Sequence, residues 1–396
     1  MKDLKLVLKM ALAIMLAVFG LSAAAQKAAE KPNLYQLWAG DSVQSSKDIP
    51  LLKNVKFKTI KKYEPEVDGY KFMHGVALVR FNNGWVASFA HNKGLENTGT
   101  EMANAIFGDD TGDKWGSLLA IDTAKNSVAV SHGVFAAHRD KLWAFQGSFV
   151  NKLELVHTRA YLYNLEGKKW EYKGIVAEDG FWPMQSPVKM ANGSWIMAGI
   201  SVGGRDQPAV AICKNNKFTT WEVKRIPSPT KVWGESAIIV DGNKVILISR
   251  SGKTTPKIGN FPHPLAYVAL SDDYGITWSD LKPSNLPMTG SKPYAGTLSN
   301  GQRYLINTIA ADAGNSRTPL TIAVSKPGEN QFCKLYRICD VKPGQFRSRA
   351  RFSYPYAVEY KGSLWVVYSQ FADNKYGPNN NSAELAIIPL AELNAK

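Results

Sequence analysis

Two arginines and a glutamate stand out by where they fall relative to short apolar runs. In GESAIIVDGNKVILISRS, Glu235 opens one alternating strand and Arg250 closes the next; in GNSRTPLTIAVS, Arg317 precedes a third run. A guanidinium is a planar fork that matches a carboxylate with two hydrogen bonds, so arginines at strand ends suit capture of a carboxylate ligand. Glu235, at the start of an apolar strand, needs a partner of its own, because a buried carboxylate is costly unless it is paired. Five further residues open similar runs: His74 in MHGVALV, His132 in SHGVFAAH, Gln185 in MQSPVKM, Tyr294 in KPYAGTL and Tyr354 in SYPYAVEY.

These strand starts recur because the chain is built from copies. Six segments, beginning at 73, 131, 184, 234, 292 and 353, each read as a strand, a turn carrying Gly, Asn or Asp, and a second strand of apolar and aromatic residues. A second series runs in step: GDDTGDKW (108–115), YNLEGKKW (163–170), KNNKFTTW (214–221), SDDYGITW (271–278) and SKPGENQF (325–332). Their last residues, Trp115, Trp170, Trp221, Trp278 and Phe332, lie 55, 51, 57 and 54 residues apart. Asp and Gly make each turn and the aromatic anchors it, with Asp110 as the matching aspartate of the first copy. Helical periodicity is nearly absent. Six repeats of about 55 residues, with roughly four strands each, predict an all-β six-bladed β-propeller. The expected organisation is a signal peptide at 1–25, a linker or N-terminal arm at 26–50, and a propeller catalytic domain at 51–396. The ring is expected to close where residues of about 51–72 join the last blade. Inner strands line a propeller's funnel, which makes the strand-start residues the site candidates.

SDDYGITW is an Asp box, Ser-x-Asp-x-Gly-x-Thr-Trp, and here the chain resembles the sialidase (neuraminidase) superfamily. The resemblance extends to Glu235 at a strand start, Arg250 at the end of its partner strand, Arg317 before a strand of the next blade, and Tyr354 opening the last blade. It implies an exo-sialidase-like hydrolase releasing a terminal acidic sugar from a glycan. Tyr354 would attack the anomeric carbon, Glu235 would accept its proton, and the two arginines would hold the carboxylate. Where the family reads Phe-Arg-Ile-Pro, this chain reads FMHGVALV, which sets His74 in the place of an arginine. His91 and Lys93, in SFAHNKGLENT, stand where the family has a basic residue, and Glu96 and Glu101 are the nearest carboxyls for the acid role, with His74 or His91 as substitutes that would make a histidine catalytic. Two rivals fit parts of the pattern: a polysaccharide lyase using His and Tyr on uronic-acid glycans, and a non-catalytic glycan-binding propeller.

Composition narrows the partner. The 396-residue chain carries a net charge of +15, which suits an anionic partner. Its lysines are scattered, and the first 25 residues read as a secretory leader: Lys2, Lys5 and Lys9 flank an apolar run ending in Ala23–Ala25. Export to the periplasm or medium argues for an acidic glycan and against nucleic acid. No other stretch is long enough to span a bilayer, so no stable membrane insertion is expected after cleavage. Cys333 and Cys339 could pair across a hairpin, while Cys213 reads as an apolar filler. No metal-ligand spacing appears, and no cofactor is expected.

Overall fold

The computed structural model of the protein describes residues 33–252, 255–340, 351–371 and 381–395. The expected signal peptide, 1–25, lies outside the described residues. The described strands form six antiparallel sheets that follow one another along the chain, the blades of a six-bladed β-propeller. The first blade holds Phe72–Phe81, Gly84–Asn92, Met102–Gly108 and Leu119–Asp122, and the second Val128–His138, Lys141–Val150, Glu154–Asn164 and Lys169–Ala177. The third runs from Phe181–Pro183 through Trp195–Ser201 and Gln207–Cys213 to Glu222–Arg225. The fourth holds Ser236–Asp241, Lys244–Ser249, Leu265–Ser271 and Lys282–Pro287; the fifth holds Tyr294–Thr297, Arg303–Asn307, Leu320–Ser325 and Phe332–Cys339. The sixth is built from Arg351–Tyr360, Ser363–Phe371 and Ser382–Pro389, and Lys56–Lys61 pairs with Ser382–Pro389 as its outermost strand. The chain's first long strand therefore closes the ring.

Inner and middle strands face neighbouring blades on both sides, which is why SAIIV and VILIS are continuous apolar runs rather than strict alternations. Ala87, Ala105, Ala144 and Ala160 are wholly buried in these sheets, letting bulky residues such as Trp85 and Phe145 fill the space between them. At the closing seam, Trp85 of the first blade stacks on Trp365 of the sixth with centroids 4.3 Å apart. Asp110, paired with Arg80 of its own blade at 2.7 Å, binds the Tyr360 hydroxyl at 2.9 Å and Lys361 at 2.9 Å across the same seam.

The outer turns show what their repeated residues do. In SDDYGITW, Asp273 Oδ1 accepts the Ile276 and Thr277 amides at 3.1 and 2.9 Å, and its Oδ2 accepts the Thr277 hydroxyl at 2.6 Å. The Trp278 indole donates to Gly275 O at 2.8 Å, and Gly275 needs its freedom at φ +80°. Trp115 and Trp221 repeat that bond to Gly112 and Phe218. One expectation is corrected here. The turn-holding carboxylate of the first copy is Asp109, which accepts the Asp113 amide at 2.9 Å, whereas Asp110 belongs to the seam. Two adjacent aspartates made the register ambiguous, and the turn is one residue longer.

Two further expectations give way. The stretch 26–50 is not a loose arm over its described part: Tyr35 and Trp38 bridge to Ser284 and Phe332, and Leu37 and Ile49 are fully buried. Cys333 and Cys339 cannot pair, because both lie on the single strand Phe332–Cys339, six residues apart. Both are free thiols, as is Cys213, which is buried as expected.

Candidate active site

In three blades the inner strand shifts register near its start: between His74 and Ala77, between Val130 and Gly133, and between Ser353 and Tyr356. These bulges turn three rings toward one another. The His74 and Tyr354 centroids are 4.0 Å apart, His132 and Tyr354 5.4 Å, and His74 and His132 6.3 Å. The glycine in each His-Gly pair permits this approach. A Cβ on Gly75 (φ +67°) would overlap the His132 ring, and one on Gly133 would overlap Phe145 O. Tyr354 itself sits at φ +56°, a conformation that costs a bulky residue about 1–3 kcal/mol and persists only when its surroundings enforce it.

Glu235 comes to the same place from the fourth blade. Arg250 N donates to Glu235 O at 3.1 Å, so the two ends of the hairpin meet and their side chains pair, Nη1 to Oε2 at 2.5 Å. The other carboxylate oxygen accepts the Tyr354 hydroxyl and the Trp233 indole N–H, the latter at 3.1 Å. Burial alone would raise the Glu235 carboxyl, but Arg250, the Tyr354 hydroxyl and Arg317 outweigh it and hold its pKa below the usual range. Burial, reinforced by the Glu235 charge, pushes the Tyr354 phenol well up. The pair is therefore a carboxylate accepting from a neutral phenol.

Arg317 lies before the third strand of the fifth blade. It donates to Ser353 Oγ at 3.1 Å and Gly290 O at 3.2 Å, with its guanidinium 5.8 Å from the Tyr354 ring. Among the described residues it has no carboxylate partner. Burial, with Arg250 adding to it, lowers its pKa. Arg250, Arg317, Glu235, Tyr354 and His132 line one cavity of about 180 Å³, with Glu96 and Glu101 also in its wall. Burial raises Glu101 from the ordinary 4.5 to about 7, and it accepts the Asn97 amide, which ties down the loop carrying Glu96. His132 is pulled down to about 3 by burial and by Lys292, and His74 well down by burial and by His132, so both rings are neutral.

The remaining candidates fall elsewhere. His74 packs behind Tyr354 rather than in the cavity wall, and its Nδ1 has no partner among the described residues. Gln185 is spent on Ile238 N, Ile238 O and Ala295 O, joining three blades. Tyr294 packs its ring, tilted, against that of Tyr356 at 4.5 Å, outside the cavity wall. His91 stacks on Tyr70 at 4.0 Å and bonds Asn104, and Lys93 is exposed; neither lines the cavity. Two residues at the site went unread in the sequence. Trp233, 37 % exposed, immediately precedes the Gly-Glu step and offers an aromatic face at the cavity. Lys292 is buried beside Tyr354. Among the described residues no cluster of His, Cys, Asp or Glu could hold a metal ion.

Six antiparallel blades in sequence, five of four strands and the third with the additional short strand Val188–Lys189, make the fold that the sialidases below share. Residues 88–366 match the BNR repeat-like domain family, and the chain belongs to that family. A protein of unknown function from Dyadobacter fermentans superposes with a TM-score of 0.62 at 13 % identity, over 84 % of this chain and 99 % of the other. Trypanosoma rangeli sialidase gives 0.62 at 12 %, over 87 % of this chain but only 60 % of its own. Streptococcus pneumoniae NanB sialidase, in complex with a chlorobenzyl-ammonio-ethanesulfonate, gives 0.63 at 10 %, over 85 % of this chain and 71 % of its own. At these identities the likeness is one of fold. No curated protein matches in sequence.

Proposed function

We propose that the protein is an exported glycoside hydrolase that releases a terminal acidic sugar, of the sialic acid class, from a glycan. The observation that carries this reading is the Tyr354 hydroxyl donating to an ionised Glu235 within a cavity that Arg250 and Arg317 also line. The arginines hold the sugar carboxylate. Tyr354 Oη attacks the anomeric carbon as its proton passes to Glu235, and the leaving oxygen takes a proton from Glu96. Water, giving its proton back to Glu96, then cleaves the glycosyl–tyrosine bond and the phenol recovers its proton. Glu96 reaches solvent at the cavity mouth; desolvation raises its pKa while Arg317 draws it down, which suits a group that gives and takes a proton. A neutral phenol suits an anionic sugar, which a carboxylate nucleophile would repel. The small cavity, against ~300–1,000 Å³ for pockets that enclose drug-sized ligands, supports removal of one end sugar.

The rival lyase reading needs a histidine base, and a His132 with a pKa of about 3 is a poor one near neutral pH. One incubation with two readouts separates the classes: free sialic acid, and ultraviolet absorbance from an unsaturated uronate. A fluorinated sialic acid inactivator should leave a covalent adduct on Tyr354, and Tyr354→Phe should abolish hydrolysis while the protein stays folded. Release of sialic acid by Tyr354→Phe near the wild-type rate would refute the proposal.

A further inference from the structure

Lys292 lies two residues before the inner strand of the fifth blade and is 3 % exposed. Lysine is almost never buried this deeply without a partner. Among the described residues it forms no ion pair, and Glu235 is the one carboxylate whose charge favours its protonation. Its Nζ instead donates to Pro355 O at 2.7 Å and Met184 O at 3.2 Å. Both acceptors belong to the site: Pro355 follows Tyr354 within the bulge, and Met184 is in the cavity wall. Lys292 is not in that wall, and it faces the rings of Tyr294, Tyr354 and Tyr356 at 5.4, 6.0 and 5.9 Å.

We propose that Lys292 is a positioning residue for Tyr354: its ammonium clamps the Tyr354–Pro355 bulge to the third blade and sets a positive charge behind the phenol. This rests on the reading of Tyr354 as nucleophile. The clamp works against relaxation of a tyrosine held at positive φ. The charge acts when the phenol gives up its proton, because a fixed cation in a poorly solvated interior favours negative charge developing on the oxygen. The two arginines must also bind substrate; Lys292, outside the cavity, is free of that task. Burial lowers its pKa to about 7, and the other titratable groups that feel it are Glu235, His132, His74 and the three tyrosines. Glu235 stays ionised, His132 and His74 stay neutral and the phenols stay protonated near that pH, so the clamp carries its charge on the acid side of neutrality.

The test uses Lys292→Met and Lys292→Gln, with kcat and KM measured separately, and fluorine resonances of protein labelled with 3-fluorotyrosine, Tyr354 being assigned by Tyr354→Phe. Lys292→Met should lower kcat by about 10- to 100-fold and leave KM within about twofold, because the lost charge acts in the transition state. The Tyr354 resonance of the wild type should move with a midpoint near 7; Glu101 shares that midpoint, so the shift should survive in Glu101→Gln and vanish in Lys292→Met. An unchanged kcat in a folded Lys292 variant, or a midpoint that persists without the lysine, overturns the proposal. If neither variant folds, loss of the midpoint in Glu101→Gln overturns it and survival supports it. If the wild type releases no sugar and forms no adduct, the hydrolase reading fails on its own, and the resonance still decides whether Lys292 acts on Tyr354.

Discussion

Replacing Arg317 with alanine tests the carboxylate grip most directly. A guanidinium has five N–H donors, and two are already used on Ser353 Oγ and Gly290 O. Those bonds fix the fork before substrate arrives, so little ordering entropy is lost on binding. A charge-assisted hydrogen bond contributes about 1.5–3 kcal/mol, so loss of the fork should remove about 3 kcal/mol and lower kcat/KM by about 10²-fold, chiefly through KM. The free protein should respond in the opposite sense. Arg317 has no carboxylate partner among the described residues, and it is repelled by Arg250, so its removal should leave Tm unchanged or raise it. The assay is thermal denaturation with a dehydrated sialic acid analogue and its carboxamide, alongside substrate hydrolysis. An acid ligand at about 100 times its Kd stabilises the wild type by about 2.7 kcal/mol, and a 10²-fold weaker Kd leaves about 0.4 kcal/mol. In Arg317→Ala the acid and its carboxamide should therefore behave almost alike. If the variant still prefers the acid by the wild-type ratio, Arg317 does not hold the carboxylate.

Two other outcomes follow from the same geometry. Glu101 has a folded pKa of about 7 against an ordinary 4.5, so its contribution to stability is complete below the lower value and lost as pH rises through the upper one. Tm should decline across that window, and Glu101→Gln should flatten the decline; an equal slope in the variant refutes the assignment. Gly75→Ala places a methyl into the His132 ring at φ +67° and should destabilise the protein by about 2 kcal/mol, read by urea denaturation. A variant as stable as wild type would show that the bulges have slack.

The blades were legible because their period is long and each copy carries a turn that only a few residues can make. Glu235 and Arg250 were legible as the two ends of one hairpin, a relation that strand pairing turns directly into proximity. Strand position says less about which way a side chain faces. Tyr294 and Gln185 open their blades as Tyr354 does, yet one packs at a tilt against Tyr356 and the other bridges backbones of two further blades. His91 reads as a basic residue in sequence, but its stacking on Tyr70 takes it away from the cavity. Lys292 escaped notice for a different reason. Lysine in a loop before a strand is presumed solvated, and only the three-dimensional meeting of carbonyls from other blades gives it a buried place.

The closing strand sets a timetable for the molecule. Lys56–Lys61 leaves the ribosome before any other blade strand, yet its partner, Ser382–Pro389, is made only after all of them. While the blades between them are made, this strand lacks its native neighbour, and an unpaired edge invites pairing with another chain. Its sequence, KFKTIK, carries three lysines in six residues, a charge density that discourages such pairing until the native partner appears. The same delay governs chemistry. Tyr354 belongs to the blade that this strand completes, whereas Glu235 is made more than a hundred residues earlier. On the proposed mechanism, a chain lacking the last blade carries Glu235 but not Tyr354, so it should be inert.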